Sequence, residues 1–98
     1  MKKDEAKKYL ANAANDKVFW VHNGQVLRNL EDLEKCLHSM TEDAYKYHAN
    51  KDKNDFSNWV SAVIGDKVLA MGLTSARNKE SAHKDVKNRL HSLKKMAN

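Results

Sequence analysis

The sequence predicts a mainly α fold, a compact bundle of four or five short helices with one small β-hairpin near the N-terminus. Three observations predict it. Apolar residues recur at helical spacing over most of the 98 positions. Residues suited to helix N-caps, Asn29, Thr41, Asn54 or Asp55, and Asp66, stand just ahead of those stretches. The one stretch that breaks the pattern, KVFWVHNGQVL, is rich in β-branched and aromatic residues around Asn23-Gly24.

Residues 1–98 read as a single domain, because no proline, repeat or low-complexity linker divides them and the length suffices for one modest core. Residues 1–14 form an N-terminal helix or a flexible arm: Ala6, Leu10 and Ala13 or Ala14 make only a weak stripe. Residues 17–28 form the hairpin, with strands over 17–21 and 25–28. Asn23-Gly24 suits its turn, since both central positions of a type I′ turn need positive φ. Strand neighbours alternate, so one of Phe19 and Trp20 points inward and the other faces solvent or a partner.

Residues 29–74 form the helical core. Leu30, Leu33, Leu37 and Met40 share one face, with Asn29 as N-cap and Glu31 and Asp32 complementing the helix dipole. Thr41 caps EDAYKYHA, where Ala44 and Tyr47, or Tyr45 and His48, are the alternative inner pairs. The polar NKDKN is a loop, and Asn54 or Asp55 caps the next helix. Phe56, Trp59, Val60, Val63 and Ile64 give that helix the widest apolar face in the chain. Gly65 suits a left-handed position that stops it. Asp66 caps KVLAMGL, with Val68, Leu69, Gly72 and Leu73 inward. Residues 75–98 form a basic C-terminal helix capped by Ser81, apolar along Ala82, Val86, Leu90, Leu93 and Ala97. The expected core is Leu30, Leu33, Leu37, Phe56, Trp59, Val60, Val63, Leu69, Val86 and Leu90.

The net charge of +5 is concentrated at the ends. Residues 67–98 carry eight Lys or Arg against two acids, whereas residues 9–66 carry six against nine. Such an end attracts polyanions, or it is simply a solvated helix face. The single cysteine, Cys36, cannot form an internal disulfide, and the N-terminus has no apolar run for a signal peptide or a bilayer span. A cytoplasmic protein without a membrane partner is therefore expected.

The most conspicuous stretch is YKYHANKDKNDFSNWV, residues 45–60. It reads as a helix, a tight polar loop and a second, capped helix. His48, Asn54 and Asp55 form a structural polar cluster that pins the loop, while an acid–base pair of His48 and Asp55 is the enzymatic alternative. No metal or other cofactor is expected: Cys36 and His38 are two apart on different faces of a helix, and DKNDFS lacks the glycine and glutamate of a calcium loop. Nor is there a phosphate-binding glycine loop or a nucleophile elbow.

The series FWVHNGQVLRNLEDLEKCL and YHANKDKNDFSNWVSAVIGDKVLA resembles a family of small uncharacterised archaeal and bacterial domains. The resemblance covers residues 18–93, with His48, Asn54, Asp55, Phe56 and Trp59 as its most specific part, and implies a fold but no activity. Three functions follow from the residues. The first is a non-enzymatic module that binds a protein partner through Phe19, Trp20, His22 and Asn23. The second is a nucleic-acid-associated protein holding phosphates with Lys79, Lys84, Lys87, Arg89, Lys94 and Lys95. The third is a small enzyme using His48 and Asp55.

Overall fold

The computed structural model describes residues 1–98 as a mainly helical protein with six helices and one two-stranded hairpin. The helices are α1 (Lys3–Leu10), α2 (Leu30–Ser39), α3 (Glu42–His48), α4 (Asp55–Trp59), α5 (Lys67–Ser75) and α6 (Lys79–Ala97). Strands β1 (Phe19–Trp20) and β2 (Val26–Leu27) pair antiparallel, Phe19 with Leu27 and Trp20 with Val26. Residues 1–14 are thus a short helix and an extended tail. Buried Ala6 docks α1 on the body, and the Ala13 amide donates to the Arg28 carbonyl at 2.7 Å.

The N-caps at Asn29, Thr41, Asn54 and Asp66 each accept an amide from the first turn, at 2.8, 3.1, 2.9 and 3.1 Å. The cap of α6 is Asn78 rather than Ser81, because Asn78 accepts the Ser81 amide at 2.8 Å. The expected core residues are buried with one exception. Val63 is only partly covered, and the geometry of its helix explains why. After Trp59 the α-helix widens into one π-helical turn, Val60–Ile64, closed by the Gly65 amide on the Val60 carbonyl at 2.7 Å. The wider turn brings Val60 and Ile64 inward together and rotates Val63 toward the edge. Gly65, at φ +90°, ends the segment in the left-handed conformation.

Two further expectations are corrected. Val68 is 65% exposed: α5 buries Leu69 and Leu73 as expected, but it is Ala70 and not Val68 that turns inward beside them. Buried Ser57 sets that rotation, its Oγ donating to the Ala70 carbonyl at 2.7 Å. The hairpin turn is not type I′: Gly24 has φ +95° but Asn23 does not have positive φ. The Gly24 amide bonds to the Val21 carbonyl and the Val21 amide to the Gln25 carbonyl, which makes a three-residue loop ending in a left-handed glycine. Asn23 Oδ1 accepts the Gln25 amide at 2.9 Å and so braces the turn from its side chain.

Helix α6 lies along both α1 and α2. It runs antiparallel to α2, with Lys79 Nζ donating to the carbonyls of Leu37 and His38 at the α2 C-terminus, His83 meeting Glu34 at 2.6 Å, and Lys94 meeting Glu31. No helix is long and apolar enough to cross a membrane.

Candidate functional site

The polar stretch around the α3–α4 loop separates into an inner face that is closed and an outer face that is open. On the inner face, α3 resolves its two alternatives by burying Tyr45 and His48, leaving Tyr47 exposed. His48 Nε2 accepts the backbone N–H of His22 at 3.0 Å. Its Nδ1 must then carry the proton, which it donates to Asp55 Oδ2 at 3.0 Å. Lys53 Nζ donates to that same oxygen at 3.0 Å. Burial pushes the Asp55 carboxyl up, but the bonds from His48 and Lys53, with the lysine charge, outweigh it and leave the pKa below the usual aspartate value.

This arrangement ties the hairpin, α3 and α4 together, and it leaves the imidazole no free nitrogen for proton transfer. Phe19, Tyr47 and Phe56 close around the ring at centroid distances of 5.0 to 5.3 Å. His48 is 4% exposed. Asn54, the third member of the cluster, caps α4 with its oxygen, and its Nδ2 donates to the Leu73 carbonyl of α5 at 3.0 Å.

On the outer face lies an open groove of about 880 Å³ between this loop and the Ala76–Asn78 linker. Its cations are Lys46, Lys51, Lys53 and Arg77, and its single acid is Asp52. His48 and Asp55 do not line it. The loop beneath is stiff: the Asn50 amide bonds to the Lys53 carbonyl at 2.8 Å, Asn50 Nδ2 to the Lys46 carbonyl at 2.9 Å, and Asn50 Oδ1 accepts the Asp52 amide at 2.9 Å. Lys53 connects the groove to the hairpin, because its ammonium lies 5.2 Å from the centre of the Tyr47 ring, against which His22 stacks at 3.9 Å.

Of the four hairpin residues expected to meet a partner, the structure keeps two at the surface with rings on offer. Trp20 is 69% exposed and His22 carries the Tyr47 stack. Phe19 is core, stacked on Phe56 and edge-on to Trp59, and Asn23 is engaged in the turn. Trp59 is anchored as well, its Nε1 donating to the Lys17 carbonyl at 2.8 Å.

The six cations expected to hold phosphates do not act as a set. Arg89 makes a forked pair with fully buried Asp66, Nε to Oδ2 at 2.7 Å and a terminal nitrogen to Oδ1 at 3.0 Å. Lys79 and Lys94 are engaged with α2. Lys84, Lys87 and Lys95 have no intramolecular partner and share one solvent-facing stripe with His91. The hydrogen bond and charge of Lys94 hold the Glu31 carboxyl below its ordinary pKa.

No three His, Cys, Asp or Glu side chains converge as metal ligands would. Cys36 is buried with Gln25 Oε1 at 3.5 Å, and burial pushes its thiol up, away from a reactive thiolate. Sequence reasoning missed the groove, since Lys46 and Arg77 lie 31 positions apart and no local pattern joins them. It also missed the Asp66–Arg89 pair, although Arg89 beside Leu90 and three positions after Val86 stands at the edge of the apolar stripe.

Compared with models of known families, with curated proteins and with solved structures, the chain matches none. The motif resemblance over residues 18–93 therefore adds no function to what the residues themselves carry.

Proposed function

We propose that the chain is a non-enzymatic interaction module that holds an acidic segment of a partner protein on the surface formed by the hairpin and the α3–α4 loop. One observation carries the reading: Trp20 is 69% exposed on a hairpin whose other apolar residues are buried or, at Val26, half-buried. An exposed tryptophan on a short strand is costly in water and rewarding in an interface, where aromatic anchors dominate the binding energy. Beside it, the His22–Tyr47 stack leads through Lys53 to a groove with four cations and one acid, so the neighbouring charge selects an acidic partner.

The test is a photo-reactive residue placed at Trp20 in cells, with the same residue at exposed Val68 as control. A discrete adduct with an acidic protein from position 20 alone is expected. No adduct, equal adducts from both positions, or an adduct with nucleic acid would overturn the reading.

A second reading is favoured by the stripe of Lys84, Lys87, His91 and Lys95, which suits phosphate contacts without sequence readout. Counterion release then requires affinity for random duplex DNA to fall steeply with salt. No binding at low salt eliminates it.

A further inference from the structure

We propose that the groove between the α3–α4 loop and the Ala76–Asn78 linker seats a phosphoryl group carried by the acidic segment of the protein partner. The proposal rests on the interaction-module reading and names the chemistry of the same site.

Three cations there have no work inside the fold. Lys46 Nζ on α3, Lys51 Nζ on the loop and the Arg77 guanidinium on the linker make no ion pair or side-chain hydrogen bond, and neither does the Asn58 amide on α4. By contrast Arg89, Lys94 and, at the groove itself, Lys53 are paired with carboxylates, while the unpaired Lys84, Lys87 and Lys95 lie along α6 and line no concavity. Like charges gathered about one concavity repel, and that repulsion is relieved when an anion enters. Because the loop's own hydrogen bonds already set its shape, little ordering cost remains for the ligand to meet.

The number and origin of the donors favour a phosphoryl group over a carboxylate. A carboxylate presents two oxygens and one charge, whereas a phosphorylated side chain presents three oxygens and nearly two charges. Donors arriving from α3, the loop, α4 and the linker suit the second, and a guanidinium can engage two of its oxygens at once. A nucleic acid fits less well. Stacking a base beside a phosphate held in the groove needs a free ring face there, but exposed Trp20 does not line the groove, and Tyr47 already meets His22 at 3.9 Å and the Lys53 ammonium at 5.2 Å. The one aromatic ring lining the groove, Tyr45, is 3% exposed.

The experiment titrates the full ¹⁵N-labelled chain, at physiological salt and neutral pH, with N-acetyl-phosphoserine amide and in parallel with N-acetyl-glutamate amide and a short oligo-dT. Saturable shifts confined to Lys46, Asn50–Lys53, Asn58 and Arg77 are expected with phosphoserine and not with glutamate. The double substitution Lys51→Gln/Arg77→Gln should weaken binding at least about tenfold, whereas Lys84→Gln/Lys87→Gln, with the same loss of charge, should leave it unchanged within about twofold. Equal responses to phosphoserine and glutamate, shifts running along α6, tighter binding of oligo-dT at the same amides, or no saturation by about 20 mM would overturn the proposal. An adduct from position 20 alongside a silent phosphoserine titration sinks this proposal only. A clear titration with no adduct sinks the module reading on which it rests.

Discussion

The Nε2 atom of His48 accepts the backbone N–H of His22, 26 positions earlier in the chain, at 3.0 Å. That bond determines the tautomer of the ring, and with it the direction of the bond to Asp55. It also gives the hairpin, which has only two residues in each strand, a tie to the helical body.

His48→Ala should therefore lower stability by about 2 to 3 kcal/mol, since it opens a cavity among aromatic rings and leaves a polar group unpaired. Urea unfolding of variant and parent measures it. In the parent, ¹⁵N spectra of the ring should show a protonated Nδ1 and an unprotonated Nε2. A variant as stable as the parent would return His48 to the list of functional candidates.

Acid should weaken the fold partly through Asp55. Its pKa is lowered in the folded chain, by hydrogen bonds from His48 and Lys53 that outweigh desolvation, while the unfolded chain keeps the ordinary value near 3.8. The resulting stability is fully present above that value and is lost as pH falls through the lower folded pKa. Asp55→Asn should flatten this part of the acid limb in thermal melts between about pH 5 and pH 2. An unchanged slope would mean that the carboxylate contributes nothing.

Arg89 and Lys87 are two positions apart and should respond very differently. Arg89→Gln strands the Asp66 carboxylate, which is fully buried, and should cost about 3 to 5 kcal/mol. Lysine at position 89 should restore only part of this loss, because it cannot fork across both oxygens. Lys87→Gln should change stability by less than about 0.5 kcal/mol. Chemical denaturation of the three variants decides it.

The asparagine caps should separate as well. Asn54→Ala loses the α4 cap and the bond to the Leu73 carbonyl, so about 2 kcal/mol is expected. Asn78→Ala loses only the cap of α6, for about 1 kcal/mol. Equal losses would show that the link between α4 and α5 is idle.

Much of the architecture was open to reading because its causes are local. A cap needs a side-chain oxygen beside a turn of free amides, so Asn29, Thr41 and Asp66 announce α2, α3 and α5 from their neighbours alone. The leucine and valine spacing of α2 and α6 declares which face each helix buries, and the closeness of His48 to Asp55 across a short loop follows from the seven positions between them. Where two local patterns compete, the chain cannot choose: both inner pairs of α3 have helical spacing, and only packing against Phe19 and Phe56 selects Tyr45 and His48. Val68 and Val63 show the same limit, since an apolar residue reports what it prefers and not how far its helix has been rotated by Ser57 or by a π-turn.

By itself, then, the sequence determined the helical class, most helix starts, the apolar faces and the excess of positive charge. Only the tertiary structure decided which charges are free, withdrawing Arg89 and Lys94 into ion pairs and gathering Lys46, Lys51 and Arg77 around one groove. The physical reason is range: capping and periodicity act over a few residues, whereas pairing of charges depends on distances in space that chain separation does not reveal.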